Sequence, residues 1–217
     1  MNSIKVKICG VTREEDLKTA VIAGADAVGF VVGAPSSPRN LALTKAEQLM
    51  KRVPIFIESV MVTVLTNIAQ LTRLYERLKP NAIQVHGQPI QNADVLRENL
   101  SRVHLIRAIQ VGSGDPVKTA VRASKSFDAI LLDSPAKGKH GGTGIVHDWR
   151  LSRRVKQAIS PKPLILAGGL KPENIKAAIQ LVQPYAVDVS SGVESRPGIK
   201  DPEKIFEFIN NAREACL

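Results

Sequence analysis

The stretch Ile4-Lys5-Val6-Lys7-Ile8-Cys9-Gly10 alternates aliphatic residues with others and ends at a glycine, which is the pattern of a short buried β-strand. Successive side chains of a strand point to opposite faces of its sheet. The three aliphatic residues are therefore expected to pack against helices, whereas the two lysines and Cys9 point to the other face. In a sheet that closes on itself, that other face is the interior of a barrel.

Similar apolar runs recur along the chain and alternate with amphipathic segments of helical length, which is typical of a parallel sheet with crossover helices. Eight strands, each followed by a helix, favour an α/β fold with one closed (βα)8 barrel, a TIM barrel, as a single domain over residues 1–217. An open doubly wound sheet is the alternative, but no Gly-x-Gly-x-x-Gly follows the first strand. The predicted strands lie at 4–8, 27–32, 55–62, 82–85, 104–111, 129–132, 163–167 and 186–189, and the predicted helices at 13–23, 44–52, 67–78, 91–99, 116–125, 149–159, 172–183 and 202–215.

The composition restricts the kind of partner. The chain has 30 Lys and Arg against 20 Asp and Glu residues, a formal net charge of +10, which suits nucleic acid, an anionic membrane surface or a small anionic substrate. The basic residues are spread along the chain and no nucleic-acid-binding motif is present, so we expect no nucleic acid partner. No signal-peptide pattern and no membrane-spanning apolar run appear. We expect a cytoplasmic protein without a membrane partner, either a monomer or a homodimer.

The two longest connections are residues 33–43 and 134–148, which follow the second and sixth predicted strands. In a βα barrel the loops after the strands carry the chemistry, so both are candidate active-site loops. The first contains Arg39, whose planar guanidinium can grip a carboxylate at two points. Read alone, an arginine at this position is more often a solvated loop residue.

Cys9 and Asp133 end the first and sixth strands. A thiol at Cys9 could be reactive, although a cysteine beside a buried strand is more often a small apolar filler. Asp133 follows three aliphatic residues, which should raise its pKa and suit it to act as a general acid. Its alternative role is to cap nearby backbone N–H groups. Cys216 lies at the end of the last predicted helix, at the opposite face from Cys9, so a disulfide between them is not expected.

Strands one and eight are neighbours in a closed barrel, and the alternation places Lys7 and Asp188 on the inner face of each. Because an unpaired charge in that interior would carry a large desolvation cost, we predict an ion pair between them. The alternative is that Lys7 reaches solvent through the barrel.

Glycines and serines after the last two strands predict a phosphate site, because backbone N–H groups, hydroxyls and helix N-termini bind phosphate. These are Gly168-Gly169 after strand seven and Ser190-Ser191-Gly192 after strand eight. The position is the usual phosphate site of such barrels. His86, after strand four, is a candidate ligand contact or a structural histidine. The sequence has no metal-ligand spacing of His, Cys, Asp or Glu, so no metal is expected.

Short motifs at the ends of successive predicted strands occur in a specific order. They are Lys7-Ile8-Cys9-Gly10, Ser37-Pro38-Arg39, Gln84-Val85-His86-Gly87, Leu131-Leu132-Asp133-Ser134, Gly141-Gly142-Thr143-Gly144, Ala167-Gly168-Gly169-Leu170 and Asp188-Val189-Ser190-Ser191-Gly192-Val193-Glu194. Together they resemble the phosphoribosylanthranilate isomerase family over nearly the whole chain.

The resemblance implies an enzyme of tryptophan biosynthesis that performs a cofactor-free Amadori rearrangement of an anionic phosphosugar. It implies Cys9 as general base and Asp133 as general acid, with Arg39 holding the anthranilate carboxylate. Gly169, Ser190, Ser191 and Gly192 would bind the phosphate, and Asp188 would position the ribose. A thiol needs nearby positive charge or donors to ionise, and Lys7 and the basic mouth are possible sources.

The chain departs from the family at one place. An aromatic residue often precedes the Asp-Trp pair after Gly-Gly-Thr-Gly, whereas here Val146 and His147 precede Asp148-Trp149. Two other functions stay open on the residues alone. One is a different phosphosugar enzyme, such as a synthase or epimerase, because the phosphate site is shared among such barrels. The other is a non-catalytic basic barrel that binds nucleic acid or protein.

Overall fold

The computed structural model describes residues 4–112, 114–134 and 147–215. Within these residues, eight parallel strands form a closed barrel in the order β1 to β8, and each is followed by a helix. The strands are β1 (Lys5–Ile8), β2 (Ala27–Val31), β3 (Glu58–Thr63), β4 (Ala82–Val85), β5 (His104–Gln110), β6 (Ala129–Asp133), β7 (Leu164–Leu166) and β8 (Ala186–Val189). The helices are α1 (Glu14–Ile22), α2 (Leu43–Met50), α3 (Ile68–Leu78), α4 (Ala93–Asn99), α5 (Pro116–Ala123), α6 (Trp149–Ile159), α7 (Ile175–Val182) and α8 (Pro202–Glu214).

The barrel closes where β1 pairs with β8. The two strands run parallel, and Lys7 lies opposite Asp188 in their register. This pairing confirms the predicted TIM barrel and excludes the open sheet, in which the first and last strands would not meet.

Two apolar layers surround the strands, as the alternation in the sequence predicts. Val6 and Ile8 of β1 and Val187 of β8 are fully buried in the layer between strands and helices. Cys9 belongs to the inner layer, whose other members are mostly alanine and valine. Small residues inside leave room for the few polar side chains that the interior holds.

Asp26, just before β2, connects several segments at the N-terminal end of the barrel strands. Its carboxylate accepts hydrogen bonds from the backbone N–H of Val6 at 2.8 Å, from Lys5 Nζ at 2.9 Å and from Arg213 Nη2 at 2.6 Å. Arg213 lies on α8, so one carboxylate joins the last helix to the first two strands. Lys5, predicted to point inward, lies half-exposed at this end of the barrel.

The structure differs from the prediction at the start of the third strand. Residues 55–57 form a turn after Pro54, and Ile55 and Phe56 are 81% and 95% exposed. Phe56 has φ of 70°, in the left-handed region that non-glycine residues rarely adopt. An aliphatic-aromatic run thus resembles a strand in the sequence but forms an exposed knob.

Further elements after β8 were not predicted. A short 3-10 helix (Ser191–Val193) leads into an antiparallel hairpin of β9 (Glu194–Arg196) and β10 (Ile199–Lys200). The hairpin lies at the C-terminal ends of the barrel strands and places Glu194 and Lys200 beside the mouth.

Among the residues that the structure describes, no helix is long and apolar enough to cross a membrane. Most of the candidate loop 134–148, with the Gly-Gly-Thr-Gly motif, lies outside the described residues, as does Cys216.

Candidate active site

A cavity opens at the C-terminal ends of the barrel strands. It lies on the face where the sequence predicts chemistry, and its walls come from both halves of the barrel. Gly192 is not among its lining residues. The predicted site residues that do line it are Cys9, Arg39, His86, Asp133, Gly169, Asp188, Ser190 and Ser191.

Lys7 and Asp188 form the predicted ion pair, and Asp188 lines the cavity. Lys7 Nζ is 3.0 Å from Asp188 Oδ1 and donates a second hydrogen bond to Gln84 Oε1 at 2.8 Å. Lys7 is only 4% exposed, so the alternative that it reaches solvent is wrong. Burial disfavours the ammonium, but the interactions with Asp188 and Cys9 together outweigh that effect and raise the pKa of Lys7.

Gln84 connects this pair to His86 at the cavity wall. The side-chain amide of Gln84 is 2.7 Å from Nε2 of His86. Arg107 on β5 is buried and donates hydrogen bonds to the carbonyls of Val85 and Gly87 on either side of His86. The position of His86 is therefore fixed from both its side chain and its backbone, whichever ligand role it has.

The thiol of Cys9 is buried beside Lys7. A Cβ atom at Gly29 would lie 2.9 Å from Cys9 Sγ and 3.0 Å from Lys7 Cε, so the absence of a side chain at Gly29 lets the two lie together. Burial raises the pKa of the Cys9 thiol, and the Asp188 carboxylate raises it further. The positive charges of Lys7 and Lys200 act in the opposite direction without cancelling that increase.

Asp133 ends β6 on the other side of the cavity, three strands around the barrel from β1. Burial raises its pKa to about 6, and the negative charge of Asp188 adds to the effect. The backbone N–H of Ser134 and the charge of Lys7 oppose the increase. The increase agrees with the sequence prediction, and a carboxyl group that is partly protonated near neutral pH can donate a proton.

Arg39 is buried, not solvated, and forms a two-point ion pair with Glu194. Its Nε is 2.7 Å from Glu194 Oε1 and its Nη2 is 2.5 Å from Oε2. Lys200 Nζ also contacts Glu194 Oε1, at 3.0 Å, and donates to the carbonyl of Ser190 at the same distance. Burial raises the pKa of Glu194, but the two cations outweigh that effect and lower it.

Glu194 and Lys200 were not predicted as functional residues. Glu194 closes the last motif of the resemblance, and no periodic pattern marks Lys200 as buried. Because the Arg39 loop is joined to the hairpin after β8 by this cluster, the second and eighth βα units share one buried charge network.

Of the residues predicted to bind phosphate, Gly169, Ser190 and Ser191 line the wall of the cavity. Gly192 packs against the preceding loop: a Cβ there would lie 1.9 Å from the carbonyl oxygen of Leu170. Glycine at this position is therefore required for the close packing of the two loops that follow β7 and β8.

His147, which stands where the family often has an aromatic residue, is buried and hydrogen-bonded. Its Nδ1 is 3.0 Å from Ser134 Oγ and its Nε2 is 2.6 Å from Ser152 Oγ. Burial lowers its pKa to about 4, so it is neutral at neutral pH. The buried ring of His147 is thus tolerated because both of its nitrogens have hydrogen-bond partners.

Across residues 4–112, 114–134 and 147–215, no cluster of three or more His, Cys, Asp or Glu side chains is placed to hold a metal ion.

The chain matches the family model described as N-(5'-phosphoribosyl)anthranilate isomerase over residues 6–211. It is 42% identical to N-(5'-phosphoribosyl)anthranilate isomerase 1 of Methanosarcina mazei, over 96% of this chain and 94% of that protein. The crystal structure of phosphoribosyl anthranilate isomerase from Thermotoga maritima superposes with a TM-score of 0.86 at 36% identity, covering 97% of this chain and 99% of that one.

Two further solved structures bear on ligands and assembly. One phosphoribosyl anthranilate isomerase was solved in complex with reduced 1-(o-carboxyphenylamino)-1-deoxyribulose 5-phosphate; it has a TM-score of 0.83 and 36% identity over 97% of this chain and 99% of that one. Another, with a TM-score of 0.80, 35% identity and the same coverage, is described as monomers generated from the dimeric T. maritima enzyme.

The contact at Gly29 gives a testable prediction. Gly29→Ala places a methyl group against Cys9 Sγ and Lys7 Cε, and overpacking of this kind typically costs roughly 1–3 kcal/mol of unfolding free energy. Urea denaturation measures this cost. In a Cys9→Ala background the sulfur is absent, so the same substitution should cost distinctly less. Equal losses in the two backgrounds would show that the thiol does not occupy the space at Gly29.

Proposed function

The chain belongs to the N-(5'-phosphoribosyl)anthranilate isomerase family, and from this premise we propose that Cys9 is the general base and Asp133 the general acid of its reaction. The reaction is the Amadori rearrangement of N-(5'-phosphoribosyl)anthranilate to 1-(2-carboxyphenylamino)-1-deoxyribulose 5-phosphate in tryptophan biosynthesis. The observation that carries the proposal is that a half-buried carboxyl group and a buried thiol face one cavity from strands on opposite sides of the barrel.

Asp133 starts the reaction as the acid. Its protonated carboxyl gives a proton to the furanose ring oxygen, the bond from C1 to that oxygen breaks, and the anthranilate nitrogen forms a double bond to C1. The product of this step is an iminium ion. The pKa of about 6 leaves part of the Asp133 population protonated near neutral pH, as an acid requires.

Cys9 then acts as the base. The iminium charge acidifies the hydrogen on C2, the Cys9 thiolate removes it, and the electron pair forms an enolamine. This intermediate gains a proton at C1 and loses the proton of the C2 hydroxyl to give the aminoketone. All steps are proton transfers and bond shifts within the substrate, so the chemistry requires no cofactor.

The two ends of the substrate are anionic and match cationic or donor groups in the wall of the cavity. Glu194 engages two of the five N–H groups of Arg39, and the remaining edge of the guanidinium can bind the anthranilate carboxylate. Backbone and hydroxyl groups of Gly169, Ser190, Ser191 and Gly192 would bind the phosphate. Asp188 would contact the ribose. His86 would contact the part of the substrate that lies near β4.

The proposed chemistry also bears on the cellular compartment of the protein. We place the protein in the cytoplasm, where reducing conditions keep the Cys9 thiol that the mechanism needs.

Removal of either proton-transferring group should abolish most turnover. General acid or base catalysis contributes about 10²–10⁴-fold, so Cys9→Ala and Asp133→Asn should each lower kcat by a factor in that range. The measurement follows the consumption of freshly made phosphoribosylanthranilate by its fluorescence. Full activity in either folded variant would overturn the role assigned to that residue.

Two matched controls accompany this test. Cys216→Ser removes the other thiol, and Asp115→Asn replaces an aspartate that caps α5 with a residue that also caps helices. Both should retain the turnover of the parent enzyme.

The pH profile gives a further prediction. Turnover needs Asp133 protonated and Cys9 ionised, whereas their pKa values favour the reverse at neutral pH. The small competent fraction rises with pH up to the pKa of Asp133, stays level, and falls above the pKa of Cys9. A plot of kcat/KM against pH should therefore have an acidic limb near pH 6 and an alkaline limb above the ordinary range of a thiol. A steady decline that begins near pH 6 would contradict this order of pKa values.

We further propose that the chain forms homodimers through the apolar knob of Ile55 and Phe56. The knob is adjacent to a shallow depression lined by Val21, Ile22 and Pro54, among others. A protruding group beside an apolar depression suits a two-fold interface, because each copy offers both parts to the other. The related T. maritima enzyme is described as dimeric.

Analytical ultracentrifugation tests the dimer. The parent protein should sediment as a dimer, and Phe56→Ser should sediment as a monomer with an unchanged circular dichroism spectrum. Val121→Ser, on the outer face of α5, is the control for loss of a half-exposed apolar side chain and should remain dimeric. A parent protein that is monomeric at micromolar concentrations would refute the interface.

A further inference from the structure

The base proposed for this enzyme lies in surroundings that oppose its ionisation. Cys9 is 7% exposed, and the carboxylate of Asp188 faces it from β8. Both effects favour the neutral thiol, whereas removal of the C2 proton needs the thiolate. The structure must therefore contain a group that stabilises the thiolate when it forms.

We propose that Lys7 is this group: its ammonium, placed against Cys9 by the space at Gly29, stabilises the thiolate through charge and a hydrogen bond. Lys7 is thus a positioning residue that acts through Cys9. The inference rests on the proposed role of Cys9 as base. The thiol proton leaves through the open mouth of the cavity to solvent, and the ammonium stays protonated.

Two of the three N–H bonds of the Lys7 ammonium have acceptors: Gln84 Oε1 at 2.8 Å and Asp188 Oδ1 at 3.0 Å. The third is available to a thiolate at Cys9. Cys9 directly follows β1, two residues after Lys7 and on the same face, and the space at Gly29 lets its sulfur lie beside the Lys7 side chain. The carboxylate also keeps Lys7 charged, since it raises the pKa of the ammonium despite burial.

The other cations near Cys9 are already engaged. Lys200 and Arg39 both interact electrostatically with Cys9. However, Arg39 gives two N–H groups to Glu194, and Lys200 has three acceptors, which are Glu194 Oε1 and the carbonyl and hydroxyl oxygens of Ser190. Burial also lowers the pKa of Lys200. Lys7 lies in β1, and Cys9 directly follows that strand. Among the cations of the described residues, Lys7 is thus the one that β1 itself holds beside the thiol.

Asp188 complicates a single substitution of Lys7. Without the ammonium, the buried Asp188 carboxylate would lose its ion-pair partner, and the cost of that uncompensated charge would obscure the effect on the thiol. The effect of Lys7 must therefore be measured where Asp188 is neutral. The comparison of Asp188→Asn with the double variant Lys7→Met/Asp188→Asn isolates it.

The experiment titrates the Cys9 thiolate by its ultraviolet absorbance in a Cys216→Ser background, with Cys9→Ser subtracted. Asp188→Asn should raise the thiolate fraction at a given pH relative to the parent. Adding Lys7→Met should lower that fraction at least tenfold, which is one pKa unit. Adding Lys7→Arg instead should keep it within threefold, because a cation is retained.

An unchanged titration in folded Lys7→Met/Asp188→Asn would overturn the proposal, as would an equal loss with Lys7→Arg. If Lys7→Met prevents folding, Lys7→Gln in the same background replaces it and should give the same tenfold loss. The readout does not depend on turnover. An active Cys9→Ala enzyme would therefore refute the proposed base, whereas the titration decides separately whether Lys7 ionises the thiol.

Discussion

The ion pair of Lys7 and Asp188 and the closure of the barrel depend on each other. Both side chains are almost fully buried, and a buried charge without a partner costs several kcal/mol. The partners face each other only because β1 lies in register against β8. An open sheet would leave both unpaired, so the charges favour closure, and closure brings the residues that follow the two strands to one cavity.

Much of this arrangement could be predicted for two reasons. Side chains alternate between the two faces of a strand, and the functional residues of a βα barrel lie at the C-terminal ends of its strands. Alternation within 4–10 and 186–190 was enough to place Lys7, Cys9 and Asp188 inside. The apolar run before Asp133 was enough to predict its raised pKa. The predicted start of the third strand at residue 55 was wrong, because Ile55 and Phe56 have the composition of a strand but follow a proline that starts a turn.

The partners of Arg39 could not be predicted from local patterns. Glu194 lies 155 residues further along the chain, and its position depends on a 3-10 turn followed by a short hairpin. Neither element has a periodicity that separates it from loop. Lys200 has the composition of a surface lysine, yet it is fully buried because Glu194 and the Ser190 carbonyl replace its water. Ion pairs between distant segments become visible only in three dimensions.

The raised pKa of Cys9 has a consequence for the durability of the enzyme. Oxidation of cysteine to sulfenic acid proceeds through the thiolate and requires access by the oxidant. A thiol that stays protonated between turnovers does not meet the first condition, although it lines an open cavity. The surroundings that make Cys9 a reluctant base therefore also slow its oxidation by peroxide compared with a permanently ionised cysteine.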